Sequence, residues 1–219
     1  MTIGAGHLIN CAGAFANDIV GMCRSGDEDG GEKEDGIVAQ IPVRARRRSI
    51  FSVHVDAPDA PPSTTTPLTV DPSGVYFRPE GPAGRYLCGV SPPAEHPDPD
   101  CVTVDELETV DHSLFDEVIW PSLYHRCEAF GSLKVQSAWS GFYEYNTVDQ
   151  NALIGRHPHV PNLILCNGFS GHGLQQSPGA GRAVAELIAS GGYQTVDVSC
   201  FGFERLLLRD EPLFEQNIV

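Results

Sequence analysis

Asn162-Leu-Ile-Leu-Cys-Asn167 is an apolar run that leads straight into Gly168-Phe-Ser-Gly-His-Gly173 and then Leu174-Gln175. The pattern is that of a buried strand, a glycine-rich turn and a helix running to about Ser190. Pro178 suits a first-turn position, Ala180, Val184, Leu187 and Ile188 form an apolar stripe, and Gly191-Gly192 closes the helix. A strand–turn–helix of this kind brings free backbone N–H groups and the positive end of the helix to one point. Glycines suit places where a flat ligand approaches the backbone, since a Cβ would collide with it. From these residues alone the ligand could be a phosphate, a carboxylate or a flavin ring, and glycines that only shape a turn are an equally good reading. A nucleophile elbow is excluded, because G-x-S-x-G requires glycine two places after Ser170 and His172 stands there.

The amino-terminal end repeats this grammar. His7-Leu-Ile-Asn-Cys-Ala-Gly13 reads as strand and tight turn, and Phe15, Ile19 and Met22 mark a helix over 14–22. The two ends are expected to pack as one α/β layer. Between them the period changes to two, predicting strands at Ser49–Val55, Val75–Arg78, Tyr86–Val90 and Leu133–Tyr145. Pro-rich loops separate them at Ala57–Pro67 and Ser91–Pro99. One helix is predicted to open near Asp111, bury Leu114, Phe115, Val118 and Ile119, and stop at Pro121. The boundaries implied are residues 1–24 with 150–193 for the α/β part, an acidic loop over 25–36, a β-rich insertion over 37–149, and a tail over 194–219 packing on the domain.

The chain has 219 residues, 41% of them hydrophobic, enough for a sizeable core. Its net charge of -15 argues against nucleic-acid binding, which depends on basic residues neutralising phosphates. The single basic run, Arg44 with Arg46, Arg47 and Arg48, is expected to mark a strand edge. No run of about 18 apolar residues predicts a membrane-spanning helix, and the first residues read as neither signal nor transit peptide. The 7 cysteines include no C-x-x-C pair, which suggests free thiols and a reducing compartment. Cys11, Cys88 and Cys166 lie in apolar runs and are expected to be buried. The histidines show no ligand spacing, so no metal is predicted.

Trp139-Ser-Gly-Phe-Tyr-Glu-Tyr-Asn-Thr-Val-Asp149, Ile154-Gly155, Asn162-Leu163, Gly168–Gly173 and Gly181-Arg182 together resemble the carboxy-terminal signature of the D-amino-acid oxidase and sarcosine oxidase superfamily. Asn10-Cys-Ala-Gly-Ala14 resembles that family's second strand-turn, and Pro42-Val43 its entry into the substrate domain. The resemblance implies a truncated FAD-binding, Rossmann-like α/β domain with an inserted antiparallel-sheet (α+β) substrate domain. It also implies FAD contacts at Cys11, Ala12, Gly13, Gly168, Phe169, Ser170, Gly171, His172, Gly173, Leu174 and Gln175, with the Gly171–Gln175 amides facing the ring.

His172 is the candidate catalytic residue by the same resemblance, its ring suited to proton handling near neutral pH. Trp139, Tyr143 and Tyr145 alternate along one strand and are candidates for a wall of the substrate pocket, although period-two aromatics also serve plain sheet packing. Asp149, in Thr-Val-Asp-Gln-Asn, has a turn-forming reading at least as good as a functional one. Gln175 stands where sarcosine-oxidase-like members carry a lysine. The family's opening G-x-G-x-x-G is not supplied before His7, so this chain is expected to be the carboxy-terminal portion of such an oxidoreductase. Lys134–Trp139, Tyr145–Asn151, Gly171–Gln176 and Glu215–Ile218 are most similar to a mitochondrial branch that assists assembly of respiratory complex I. That similarity implies a mitochondrial location and complex I subunits or assembly intermediates as partners, in an enzyme or in a non-catalytic scaffold or chaperone; an inactive fragment is the remaining alternative.

Overall fold

The structure is a computed structural model that describes residues 3–23, 40–208, 212 and 214; the acidic loop over 25–36 lies outside them. In chain order the elements are β1 (Leu8–Asn10), a 3-10 turn (Gly13–Phe15), α1 (Ala16–Met22), β2 (Val43–His54), β3 (Thr69–Val70), β4 (Tyr76–Pro79) and β5 (Arg85–Gly89). Next come α2 (His112–Leu114), a π turn (Phe115–Ile119), α3 (Trp120–Arg126), β6 (Lys134–Asn146), β7 (Leu153–His157), β8 (Val160–Asn167), α4 (Gly173–Ser190) and α5 (Arg205–Leu208). Two compact units result. Among the described residues one holds those before Arg46 and those from Tyr143 onward, and the other holds Arg46–Phe142. The sequence-based boundaries stood at 37 and 149.

The first unit is built on the sheet β1-β8-β7. β1 runs parallel to β8, with Leu8, Ile9 and Asn10 paired to Leu163, Ile164 and Leu165, while β7 is antiparallel to β8. Leu163 and Leu165 join Ala16, Val20, Ile41, Val43 and Leu153 on one face. Ile164 packs with Phe169, Ala180, Ala183, Val184 and Leu187 on the other. A strand covered on both faces has no polar alternation, which is why β8 reads as a continuous apolar run. Asn17 ties the returning chain to α1, its side chain donating to the Ile41 and Val43 carbonyls at 2.9 and 2.7 Å and accepting from the Ile41 N–H at 2.9 Å.

Several helical expectations need correction. In α1 the inward residues are Ala16 and Val20, whereas Phe15 and Met22 are exposed. Pro178 lies inside α4 rather than in its first turn. It lacks the N–H that would meet the Leu174 carbonyl, and the Ser177 hydroxyl donates there instead at 2.8 Å. Gly191, at φ 75°, ends the helix in the left-handed conformation as expected. Past that end Glu186 accepts the N–H groups of Gln194 and Thr195 at 2.7 and 2.9 Å. The Thr195 hydroxyl bond is the largest of the contacts holding its carboxyl down at about 2, from an ordinary 4.5. A depressed carboxyl stabilises the fold above its unfolded pKa and loses that contribution as pH falls through the folded one. Acid titration followed by NMR is therefore expected to leave the Gln194 and Thr195 amide signals in place at pH 4.5 and to move them only on approach to about 2. Movement centred near 4.5 would mean that the carboxyl holds neither amide.

The second unit is the antiparallel sheet β3-β4-β5-β2-β6, of which β2 and β6 extend into the first unit. Phe51, Val53, Phe77, Tyr86 and Cys88 pack against Leu114, Phe115, Ile119, Leu123 and Phe130. Phe130 stacks edge-on against Phe77 and Tyr86, centroids 5.0 and 5.3 Å apart, within the favourable range for aromatic pairs. The Asp111 carboxylate caps the Leu114 N–H at 3.1 Å, as the predicted helix start requires. The helix does not stop at Pro121. The π turn resets the hydrogen-bond ladder, so that Pro121 falls in the first turn of α3, where a missing N–H costs little. The arginine run does not precede a strand but lies within β2, where Arg48 is paired with Asp98 at 2.7 Å and Arg46 with Asp100 at 3.2 Å. All 7 cysteines are free thiols. Among the described residues no helix is long and apolar enough to cross a membrane, and no cluster could hold a metal ion.

Candidate functional site

At the carboxyl ends of β1 and β8 the chain makes two glycine turns, and between them lies a cavity of about 340 Å³ inside the first unit. Its lining residues are mostly small: Cys11 and Gly13 follow β1, Cys166 lies at the end of β8 with the larger Phe169 just beyond it, and Gly173, Ser177, Ala180 and Gly181 lie on α4. Glu144 of β6 completes the wall. The turn after β8 owes its path to positive φ at Gly168 (73°), Ser170 (46°) and Gly171 (92°). Ser170, uncommon in that region, is wholly buried, and its Oγ accepts the Asn146 N–H at 3.0 Å. A Cβ on Gly171 would lie 2.7 Å from the Tyr143 hydroxyl, and one on Gly168 would lie 3.0 Å from Val43.

The cavity gathers Cys11, Gly13, Phe169 and Gly173 from the sequence-derived set. Ala12 shapes the first turn by donating to Asn10 Oδ1 at 3.1 Å, while Gly168, Ser170 and Gly171 shape the second. His172 is the residue before α4, its N–H donating to the Phe169 carbonyl at 3.0 Å, and it does not line this cavity. Leu174, 88% exposed, and Gln175 point away from the core on the first turn of α4. Tyr143 is held against Gly171, Tyr145 is half-buried further along β6, and Trp139, 45% exposed, belongs to the part of β6 in the other unit. Cys11 is exposed and not the buried hydrophobe expected from its apolar run, because β1 ends one residue before it.

Sequence reasoning missed Glu144. Its carboxylate accepts the Gly168 N–H at 2.8 Å and also that of Phe169, so it fastens the second turn to β6. Burial is the largest influence and raises its pKa above the ordinary value, the two amides offsetting it in part. A carboxyl raised on folding weakens the fold as pH climbs through that raised pKa. Glu144→Gln keeps an acceptor for both amides, removes this titration, and is expected to leave stability at neutral pH unchanged or slightly higher. Glu144→Ala strands two N–H groups and is expected to cost about 1–3 kcal/mol in urea unfolding. Equal losses in the two variants would show that the turn does not depend on this acceptor.

The residues present fit one end of a flavin. The walls around Gly13, Gly173, Ala180 and Gly181 leave the space that larger side chains would fill, and α4 presents the unpaired N–H groups of its first turn.

Residues 2–187 match the family model described as FAD dependent oxidoreductase. The chain belongs to that family. It is 46% identical to FAD-dependent oxidoreductase domain-containing protein 1 of Xenopus laevis over 97% of its own length and 40% of that relative's. The homologue of that protein in Drosophila melanogaster is 36% identical over 95% of this chain and 37% of its own length. The chain thus spans about two fifths of the length of these relatives. L-Proline dehydrogenase from P. horikoshii shares the fold, with a TM-score of 0.71 at 24% identity over 94% of this chain and 48% of the other. Those matches make the chain a carboxy-terminal part of a flavin-type fold, with an α/β layer and an antiparallel sheet.

Proposed function

We propose that this chain is the ring-binding portion of an FAD-dependent oxidoreductase of the D-amino-acid oxidase type, whose whole-length form oxidises a small organic substrate. The observation that carries this reading is the small-residue cavity between the two glycine turns, within the stretch that matches the family. A flavin bound there would supply an acceptor for two electrons from the substrate. The protein's own part is positional. The turn over Gly168–Gly173 brings the start of α4 to the cavity, and its amides favour negative charge there without reorganising. Phe169 and Ala180 keep the wall apolar, and Glu144 holds the turn in place.

Riboflavin, FMN and FAD share the ring and differ in phosphate and nucleotide, so a cavity for the ring binds all three with similar affinity. Titration of this chain with each, followed by flavin fluorescence, tests that expectation. FAD binding far more tightly than riboflavin would mean that the turn serves a phosphate, and no binding of riboflavin would end the proposal. Once dialysed without flavin, the chain is expected to retain no stoichiometric FAD. For the whole protein, anaerobic bleaching of bound FAD by amino acids and N-methyl amines tests oxidation directly.

The second reading, a flavin-fold scaffold for complex I subunits in mitochondria, is supported by the motifs at Lys134–Trp139 and Tyr145–Asn151. Flavin that resists bleaching, together with co-purification of complex I subunits from mitochondria, would favour it.

A further inference from the structure

Cys11 and Cys166 face one another in the cavity wall. Asn10 and Leu165 are register partners in the parallel pair, so the next position on each chain is a cysteine, and in-register side chains of parallel strands leave the sheet on the same side. Neighbouring strands run about 4.8 Å apart, inside the Cα separation of about 4.4–6.8 Å that a disulfide accepts. Both residues line the cavity, and both are free thiols. Cys11 is exposed and Cys166 half-buried, so an oxidant entering from solvent meets Cys11 first.

We propose that Cys11 and Cys166 form a redox-active dithiol site that takes a small neutral hydroperoxide as its oxidant and closes to an intramolecular disulfide joining β1 to β8. The Cys11 thiolate attacks the peroxide; its S–O bond forms as the O–O bond breaks, and the departing alkoxide takes up a proton to leave as an alcohol, or as water from hydrogen peroxide. Cys11 is then a sulfenic acid. The Cys166 sulfur displaces its hydroxyl, the S–S bond forms, and the Cys166 proton leaves with the hydroxide as water. Two electrons pass from the thiols to the peroxide.

The roles are not interchangeable. Burial first, and Cys11 beside it second, push the Cys166 thiol up to about 12, so it stays protonated and resolves rather than initiates. The chain's net charge of -15 disfavours the approach of anionic oxidants such as glutathione disulfide. The proposal concerns these thiols alone and does not rest on flavin binding.

The test uses the intact chain, reduced, freed of reductant and treated with one equivalent of hydrogen peroxide, then digested without reduction and mapped by mass spectrometry. The expected result is a linked pair of peptides containing Cys11 and Cys166, two hydrogens lighter than their sum, that separates on adding dithiothreitol. In Cys166→Ser, dimedone should label Cys11, which has lost its resolving partner. Oxidation of Cys11 to sulfinic or sulfonic acid with no linked peptide in the unaltered chain would overturn the proposal. So would a link made predominantly through Cys23 or Cys200. Because the map is read on the unaltered protein, it decides the matter even if a variant fails to fold.

Discussion

Asp149→Ala is expected to lower the stability of the first unit by about 3–5 kcal/mol, the usual consequence of leaving one buried charge without its partner. The Asp149 and Arg205 side chains are only 2% and 4% exposed, and they meet through two bonds, Nε to Oδ2 at 2.6 Å and Nη2 to Oδ1 at 3.0 Å. The same carboxylate accepts from the Asn146 side chain at 3.0 Å and the Asn151 N–H at 3.1 Å. Arg205 also donates to the carbonyls of Phe201 and Asn151 at 2.8 and 3.0 Å. Removing Asp149 therefore unties the turn after β6 as well as α5. Urea unfolding of Asp149→Ala, Arg205→Met and the double variant measures this, and the double variant should lose less than the sum of the singles, since it leaves no orphaned charge. A loss below about 1 kcal/mol in Asp149→Ala would be the behaviour of a solvent-exposed pair and would contradict the burial described.

Gly181→Leu is expected to weaken flavin binding at least 100-fold while leaving the fold as stable or more so. A Cβ at Gly181 meets nothing within 4 Å, and the residue lines the cavity from the face of α4. Leucine also gains roughly 0.5–1 kcal/mol of helix propensity over glycine. The added side chain thus fills ligand space and nothing else. Gly179→Leu is the control, because it has the same open surroundings on the same helix but does not line the cavity. Equal flavin affinity in the two variants and the parent would place the ligand elsewhere. Gly173, the more obvious glycine to alter from the sequence, is less informative. A Cβ there makes ordinary contacts of 3.4–3.6 Å with Phe169 and Glu144, so a substitution would disturb the turn and the cavity together.

Strands were readable from the sequence where one signal dominated. Period-two alternation placed β5 and β6 to within one residue at each end, and the unbroken apolar run placed β8. Helix existence was readable too, but not which side faced inward. In α1 the large residues Phe15 and Met22 suggested the inner face, yet the approach of the chain at Ile41 and Val43 leaves room only for Ala16 and Val20. Both prolines misled for the same reason. A side-chain hydroxyl at Ser177 and a π turn before Trp120 relieve the missing N–H, and neither compensation has a pattern of its own.

The glycine turn of the candidate site was evident, but the acceptor that holds it was not. Glu144 lies between two tyrosines that drew attention to the opposite face of the strand. The available signal was a lone acidic residue in the middle of an otherwise uncharged stretch of β6. Asp149 read as a turn former because its partner, Arg205, is 56 positions away. No local pattern reports such a distance.

The parallel pairing of β1 with β8 also sets a timetable for synthesis. Asn10 and Asn167, neighbours at the ends of these strands, are 157 positions apart. At roughly 5–20 residues per second a ribosome needs on the order of 8–30 s between making one and making the other. Throughout that interval Leu8 and Ile9 wait for their partners in β8, while the local hairpin of β4 and β5 can already close. Newly made chains are therefore exposed to mispairing and to chaperone capture at Leu8–Asn10 well before the glycine turn that defines the cavity has left the ribosome.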